Sequence, residues 1–407
     1  MISVQGRRQF TRGGPLQPAF LVSALLFQVR HGELRGYDRM LEALWGEAHS
    51  FGLELPCEQP VSAQAFSAAR AKLPSSYVRE LLHEAADGFY RSHGPRMLWK
   101  GRRLLAVDGA KRFVQNSPEL RRAFGGPDGA HYPQFHLTTL FDVIAKVPLD
   151  AVLGPYGSDE RVQLSKVLDC TREGDVLVID AGYPSFDVFV MLLESGLDFV
   201  VRVPGSGSFK AVQEFVAGGA DEAVLTLHPP EGSVLRGGDP IRLRAVRLER
   251  ADGPCALLTT LPPEEFTADD VRDAYRLRWE IEEFYKLQVS NYFGQGFLHG
   301  RSVRGVEQEI YAQLLFVAIA RHLMAAVAEA TELPLEHVSQ KGAILAVGDH
   351  LTRLVLAQPA DHAVHHLRLL LERIARARYK PRPGRSEPRR SKLPQRRWGP
   401  HGKRSGG

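Results

Sequence analysis

Arg103-Leu-Leu-Ala-Val-Asp108 and Asp175-Val-Leu-Val-Ile-Asp180 are the two runs that decide the fold. Each is a short, unbroken apolar stretch closed by an acid, which is how a strand covered on both faces reads; a half-exposed strand would alternate. Between them, 135–143 and 147–153 supply two more β-rich runs, and 159–168 has helical spacing. A helix over 185–194 and the strand Asp198-Phe-Val-Val-Arg-Val203 follow.

Three strands, then helix, strand, helix and strand, is the order of a ribonuclease H-like α/β domain, a mixed sheet flanked by helices whose later strands run parallel. Working outward, 1–98 reads as a helical N-terminal unit, with Leu21, Leu25 and Leu26 and then Tyr37, Leu41 and Leu44 at helical steps. Its serine-capped piece Ser62-Ala-Gln-Ala-Phe-Ser-Ala-Ala-Arg70 is expected to expose Arg70 and Lys72, either to dock on DNA or as a solvated face. The sheet domain is expected in two parts, 99–203 and 267–330. They flank 204–266, where short β-rich pieces at 223–227, 241–248 and 255–261 read as an inserted antiparallel subdomain. Helices are expected at 267–288, 303–330 and 362–378, the last within a C-terminal region at 331–378. The basic remainder, 379–407, cannot bury a core and is expected to stay disordered without a partner.

The chain has 407 residues, 44% hydrophobic and 24% charged, with a net charge of +5. The excess is local: residues 376–407 hold 12 Lys and Arg against the single acid Glu387, while the rest carries 40 basic and 46 acidic residues. That distribution suits a polyanion such as nucleic acid. Cys57, Cys170 and Cys255 lie far apart without CxxC spacing, so a zinc ribbon and a disulfide framework are both excluded and a reducing cytoplasm is expected. Arg7-Arg8 before the apolar stretch 18–29 loosely resembles an export signal, but that stretch is too short to span a bilayer. The longest uncharged apolar stretch, 311–320, reads as a buried helix, and no membrane association is expected. HExxH, a Walker loop and a GxSxG elbow are missing from the sequence. His131, His136 and His299 are scattered and read as turn or core residues.

Asp108 and Asp180 each close a hydrophobic strand, where a sheet opens to solvent. Clustered carboxylates repel unless a cation lies between them. In Tyr275-Arg-Leu-Arg-Trp-Glu-Ile-Glu-Glu-Phe-Tyr-Lys286, steps of three and four place Tyr275, Arg278, Glu282 and Lys286 on one face, opposite Leu277, Ile281 and Phe284. On spacing alone that face is either a site or an ion-pair ladder. Arg202, a charge in an apolar strand, is either a phosphate contact or half of a buried ion pair.

Over roughly 60–325 the sequence resembles the DDE transposases of the insertion-sequence-four type. The likeness rests on Asp108-Gly109, Asp180-Ala-Gly-Tyr183, Phe199-Val-Val-Arg202 and Tyr275-x-x-Arg278-x-x-x-Glu282. It implies that Asp108, Asp180 and Glu282 are the catalytic acids, that Tyr275 and Arg278 contact phosphates of the transposon end, and that 204–266 is the family's β-insertion. It also implies double-stranded DNA as substrate, with terminal inverted repeats and a target site, and a homodimer on paired ends. The sequence departs from the pattern at Val289, where the family has a lysine; Lys286 is the expected substitute. Its tryptophans, Trp45, Trp99, Trp279 and Trp398, all lie outside the insertion, where some relatives stack one on a flipped base.

Phosphodiester transfer requires in-line attack by water or a 3′-hydroxyl and departure of an alkoxide, both stabilised by two divalent ions roughly 4 Å apart. Asp, Asp and Glu are hard ligands suited to Mg²⁺ or Mn²⁺, with Asp108 expected to bridge two ions and Asp180 and Glu282 to complete one each. Arg278, Lys286 and Arg202 are the expected phosphate contacts. Two other readings remain open: an inactive DNA-binding relative that represses its own element, and a ribonuclease H-like nuclease without strand transfer. Each places the protein in the cytoplasm at the nucleoid.

Overall fold

The run at 104–107 is buried on both faces because it occupies the middle of an eight-stranded mixed sheet. The computed structural model describes every residue except 1, 5–6, 11–13, 33, 35, 54, 56, 208, 232–238, 289–295, 357–359 and 380–407. A short hairpin pairs Ile2–Val4 (β1) with Arg7–Gln9 (β2). The sheet comprises Leu104–Phe113 (β3), Gln134–Asp142 (β4), Val147–Pro155 (β5), Val176–Ile179 (β6), Asp198–Pro204 (β7), Glu222–Leu227 (β8), Ile241–Leu248 (β9) and Cys255–Thr259 (β10). The helices are Pro18–Arg30 (α1), Tyr37–Ser50 (α2), Ala63–Arg70 (α3), Ser75–His93 (α4), Pro118–Phe124 (α5), Glu160–Val167 (α6), Phe186–Glu194 (α7), Lys210–Gly218 (α8), Ala268–Leu277 (α9), Trp279–Gln288 (α10), Val303–Ala330 (α11), Gln340–Leu356 (α12) and Ala360–Arg376 (α13).

The strand order is β5-β4-β3-β6-β7-β10-β9-β8. β3, β4 and β5 form an antiparallel meander, while β6 and β7 run parallel to β3, each reached through a helical crossover, α6 and α7. This is the expected ribonuclease H-like arrangement. Arg103 and Asp175, which open the two deciding runs, form a buried ion pair with Nε 2.7 Å from Oδ1. The register then runs from Leu104 opposite Val176 to Val107 opposite Ile179. Each Leu or Val buried there contributes roughly 1.5–3 kcal/mol relative to leaving it exposed.

Several expectations need correction. β3 does not end at Asp108 but continues to Phe113, paired with β4 after its parallel partner has stopped. The apolar run ends at Asp108 because the strand is half-exposed beyond it. The β-rich pieces of 204–266 do form strands, yet they build no separate sheet. β10, all five of its residues buried, pairs with β7 and removes an open sheet edge there, and β9 and β8 follow. α5 and α8 were not expected. Arg70 is buried: α3 turns it onto α11, where Nη1 meets Glu309 Oε1 at 3.0 Å and Nε meets Gln308. Lys72 is exposed as expected.

α11 packs against α4, α1, α12, α13 and β5. It alone among the described residues is long and apolar enough to cross a membrane, but 78% of its most apolar window is buried inside the protein, which marks a core helix. The helix expected over 267–288 tightens near Arg278, whose N–H donates to Tyr275 O and whose carbonyl accepts from Ile281 N–H, both at 3.1 Å. These bonds span three residues and overwind the junction of α9 and α10. The basic tail beyond Tyr379 and Val289 lie outside the described residues.

Candidate active site

Asp108 and Asp180 stand side by side because each follows the last paired residue of the parallel β3–β6 ladder, Val107 opposite Ile179. Glu282 reaches them from the first turn of α10. That helix is tied to β3 by Tyr285, whose hydroxyl donates to Asp108 O at 2.6 Å, and held to the core by Ile281 and by Phe284, which stacks on Phe141 at 4.8 Å. α9 begins with a capping box between Thr267 and Asp270, which fixes its entry and so the depth of Tyr275.

Arg278 is the hub. Its Nη2 lies 2.7 Å from Glu282 Oε1 and 3.7 Å from Asp180 Oδ2, and its Nη1 lies 3.8 Å from Asp108 Oδ2. Asp180 Oδ1 accepts from Ala181 N–H at 2.7 Å, Arg202 Nε at 2.9 Å and Tyr275 OH at 3.0 Å, with Arg202 Nη2 also at 2.7 Å. Burial alone would raise the Asp180 pKa, but Arg278, the Ala181 N–H and Arg202 outweigh it, and the carboxyl sits below its ordinary value. Burial dominates at Asp108 and pushes its carboxyl up to about 6; the Gly109 N–H and Arg278 oppose the rise, while Asp180 and Glu282 add to it. Burial, followed by the charge of Asp180, raises Tyr275 to about 12, so it stays a phenol able to donate.

Six of the seven residues singled out in the sequence therefore meet: Asp108, Asp180, Glu282, Tyr275, Arg278 and Arg202. Lys286 does not. Its Nζ is 2.6 Å from Glu283 Oε1 and 4.7 Å from the Trp279 ring centre, and the side chain is 59% exposed. The physical reason is local. Glu282 already holds Arg278, and Trp279, Glu283 and Lys286 make their own stripe at steps of four and three. Tyr275 and Arg278, the expected phosphate contacts, are turned onto the carboxylates.

His136, read from the sequence as a turn or core residue, is indeed buried, but its pairing with Glu160 beside the carboxylates was not foreseen. Its Nε2 lies 3.5 Å from Glu160 Oε1. A Cβ on Gly109 would lie 2.2 Å from that same Nε2, and a Cβ on Gly182 would lie 3.0 Å from Glu160 Oε2. The buried His136 ring thus leaves no room for a side chain at position 109, directly after Asp108, while Glu160 closes in on Gly182, two residues after Asp180. The only signal for this pair was the Gly after Asp108, which reads first as a turn. A further cluster, His83, Asp150 and Cys170, brings its ligand atoms within 4.8 Å of one another where α4 covers β5. Arg79 already grips both oxygens of Asp150, and burial pushes the Cys170 thiol up to about 12. That group reads as an ion-pair network, since metal ligation needs a thiolate.

The family model described as "Transposase DDE domain" matches residues 99–319, which contain every one of these side chains except His83 and Arg79. The chain belongs to the DDE transposase family. Among proteins similar to this chain, "Putative transposase InsZ" of Escherichia coli (strain K12) is 25% identical over 141 residues, 33% of this chain and 47% of that protein. "Transposase for insertion sequence element IS421" of Escherichia coli is 32% identical over 123 residues, 28% of this chain and 30% of that one. The matches thus span less than half of either relative. A piggyBac transposase, solved by cryo-EM in a synaptic complex with hairpin DNA, superposes over 93% of this chain and 80% of its own at a TM-score of 0.47 and 12% identity.

The carboxylates of this candidate site fit a divalent cation. Asp180 Oδ1 is saturated by its donors and Asp108 Oδ1 takes the Gly109 N–H at 2.9 Å, so Asp108 Oδ2, Asp180 Oδ2 and Glu282 are left converging on Arg278. Three carboxylates face two guanidinium groups, an anionic excess of hard oxygen donors.

Proposed function

We propose that this chain is the transposase of a DNA insertion sequence. On this reading it binds the terminal inverted repeats of its element as double-stranded DNA, cuts phosphodiester bonds and joins the freed ends to target DNA. The observation that carries the reading is the convergence of Asp108, Asp180 and Glu282, from two strands and a helix, on Arg278. Asp108, Asp180 and Glu282 would hold Mg²⁺ or Mn²⁺, two ions per site. Bound there, such ions would activate the attacking hydroxyl and steady the leaving oxygen. The protein's own part is preorganisation. Arg202 and Tyr275 fix the Asp180 carboxylate, Tyr285 fixes α10 against β3, and Arg278 presents a planar donor that suits a phosphate oxygen once the carboxylates are otherwise balanced. A homodimer on paired ends, acting at the nucleoid in the cytoplasm, belongs to the same proposal.

The test is a supercoiled plasmid carrying the DNA that flanks the gene, incubated with the protein and Mn²⁺ and scored for nicking and for joining. Both activities are expected. Nicking without joining would make the protein a ribonuclease H-like nuclease. Binding without either would make it an inactive relative that represses its element, a reading that the off-site placement of Lys286 favours.

A further inference from the structure

Past Asp108, β3 runs on into the wall of a groove of about 1590 Å³. That exceeds the roughly 300–1,000 Å³ of a small-molecule pocket and suits a polymer. The other walls are α3 and the stretch from Gly296 to Gly305 that leads into α11. Arg70, Lys111, Arg112, Arg301 and Arg304 line it, and no described lining residue is an acid. Arg70 is balanced by Glu309, but Arg112 has no such partner among the described residues. It is only 7% exposed and donates to two uncharged acceptors, Gln288 Oε1 at 3.3 Å and Gly296 O at 3.2 Å. Burial draws its pKa down to about 10. The sequence of 289–295 contains no Asp or Glu either. A desolvated guanidinium without a carboxylate is costly to the fold, and an anion arriving from outside would relieve it.

The groove also presents aromatic surface. Phe113 is 64% exposed and Tyr132 is 51% exposed. They are near neighbours across the β3–β4 ladder, since Phe113 pairs with Gln134 and Val114 N–H donates to Pro133 O at 3.1 Å. Flat apolar rings among cations, with no acid among the described lining residues, match the two surfaces of a nucleotide: its base and its phosphate. In a duplex the base faces are already stacked, so rings of this kind recognise unpaired nucleotides.

We propose that this groove binds unpaired nucleotides of the DNA strand leading to the three carboxylates, with bases on Phe113 and Tyr132 and a phosphate against Arg112. The inference rests on the transposase reading and deepens it by assigning a place for strand opening. That place lies on the β3–β4 side of the sheet, whereas β10, β9 and β8 lie beyond β7.

The test is equilibrium binding of a labelled oligo(dT) strand and of a blunt duplex, in EDTA, to the parent, Phe113→Ala, Tyr132→Ala and the double variant. Each single substitution should weaken oligo(dT) binding about tenfold and the double about a hundredfold, with duplex affinity held within about twofold. Phe113→Trp, which keeps a ring, should retain binding. Oligo(dT) affinity unchanged in the double variant, or a parallel loss for the duplex, overturns the proposal. Plasmid nicking is read separately. Ring-dependent oligo(dT) binding by a protein that never nicks would keep the groove and reject the transposase, and nicking with ring-independent oligo(dT) binding would do the reverse.

Discussion

Arg103 Nε donates to Asp175 Oδ1 at 2.7 Å, and this buried pair opens the two strands whose far ends carry Asp108 and Asp180. It pins the register that sets the aspartates side by side. Arg103→Met would leave Asp175 buried and uncompensated, at a cost of about 3–5 kcal/mol. Denaturant unfolding should show that loss. An unfolding midpoint equal to the parent's would mean that the apolar runs alone hold the register.

Asp108→Asn, Asp180→Asn and Glu282→Gln keep side-chain shape and remove the charge that, on the proposed function, would hold a divalent ion, so each should abolish nicking and joining with DNA binding retained. Glu280, paired with Lys146 at 2.8 Å, and Glu283, paired with Lys286, are the controls. Pairs this exposed are worth about 0–1 kcal/mol, so Glu280→Gln and Glu283→Gln should nick like the parent. Thermal melting gives a second readout: Mn²⁺ should raise the melting temperature of the parent and of both controls but not of the triad variants.

Lys286→Ala should keep nicking within about threefold of the parent, because its ammonium is engaged by Glu283 and the Trp279 face, not by the site. A loss of a hundredfold or so, the scale of a missing transition-state donor, would show that Lys286 swings inward when DNA binds.

The raised Asp108 carboxyl carries a pH signature in metal-free buffer. Its folded pKa of about 6 lies above the unfolded value, so the native state binds the extra proton between roughly pH 4 and 6, and stability falls as pH rises through that window. Asp108→Asn removes the fall. At pH 7.5 its melting temperature should exceed the parent's, reflecting a stability gain on the order of 3 kcal/mol, and near pH 4 the two should match. Equal melting at both pH values would contradict the assignment.

Residues 380–407 hold ten Lys and Arg, each able to release counterions from a phosphate. Deleting them should weaken binding to every duplex and flatten the slope of log affinity against log salt, by about 0.9 for each phosphate that is no longer neutralised. Preference for the element's own ends should survive. A slope that does not change would assign the tail elsewhere.

The sequence by itself determined the elements whose signal is local. Runs such as Val176 to Ile179 are continuously apolar because both faces are covered, and helix starts such as Thr267 and Ser185 are marked by side chains that cap their own turn. Asp108 and Asp180 were legible because each closes an apolar run, Glu282 because helical steps set it on one face with Tyr275 and Arg278, and the family resemblance joined the three. What only the tertiary structure decided depends on partners far away in the chain. Arg70 looks like a surface residue until α11 arrives with Glu309, the strands of 204–266 look independent until β7 offers an edge, and Lys286 looks aligned with Glu282 until Arg278 takes that carboxylate. His136 and Glu160, the groove beside Phe113 and the hub at Arg278 are likewise products of packing. A periodicity reports which face a residue occupies, whereas which charge it meets there depends on segments brought together only by the fold.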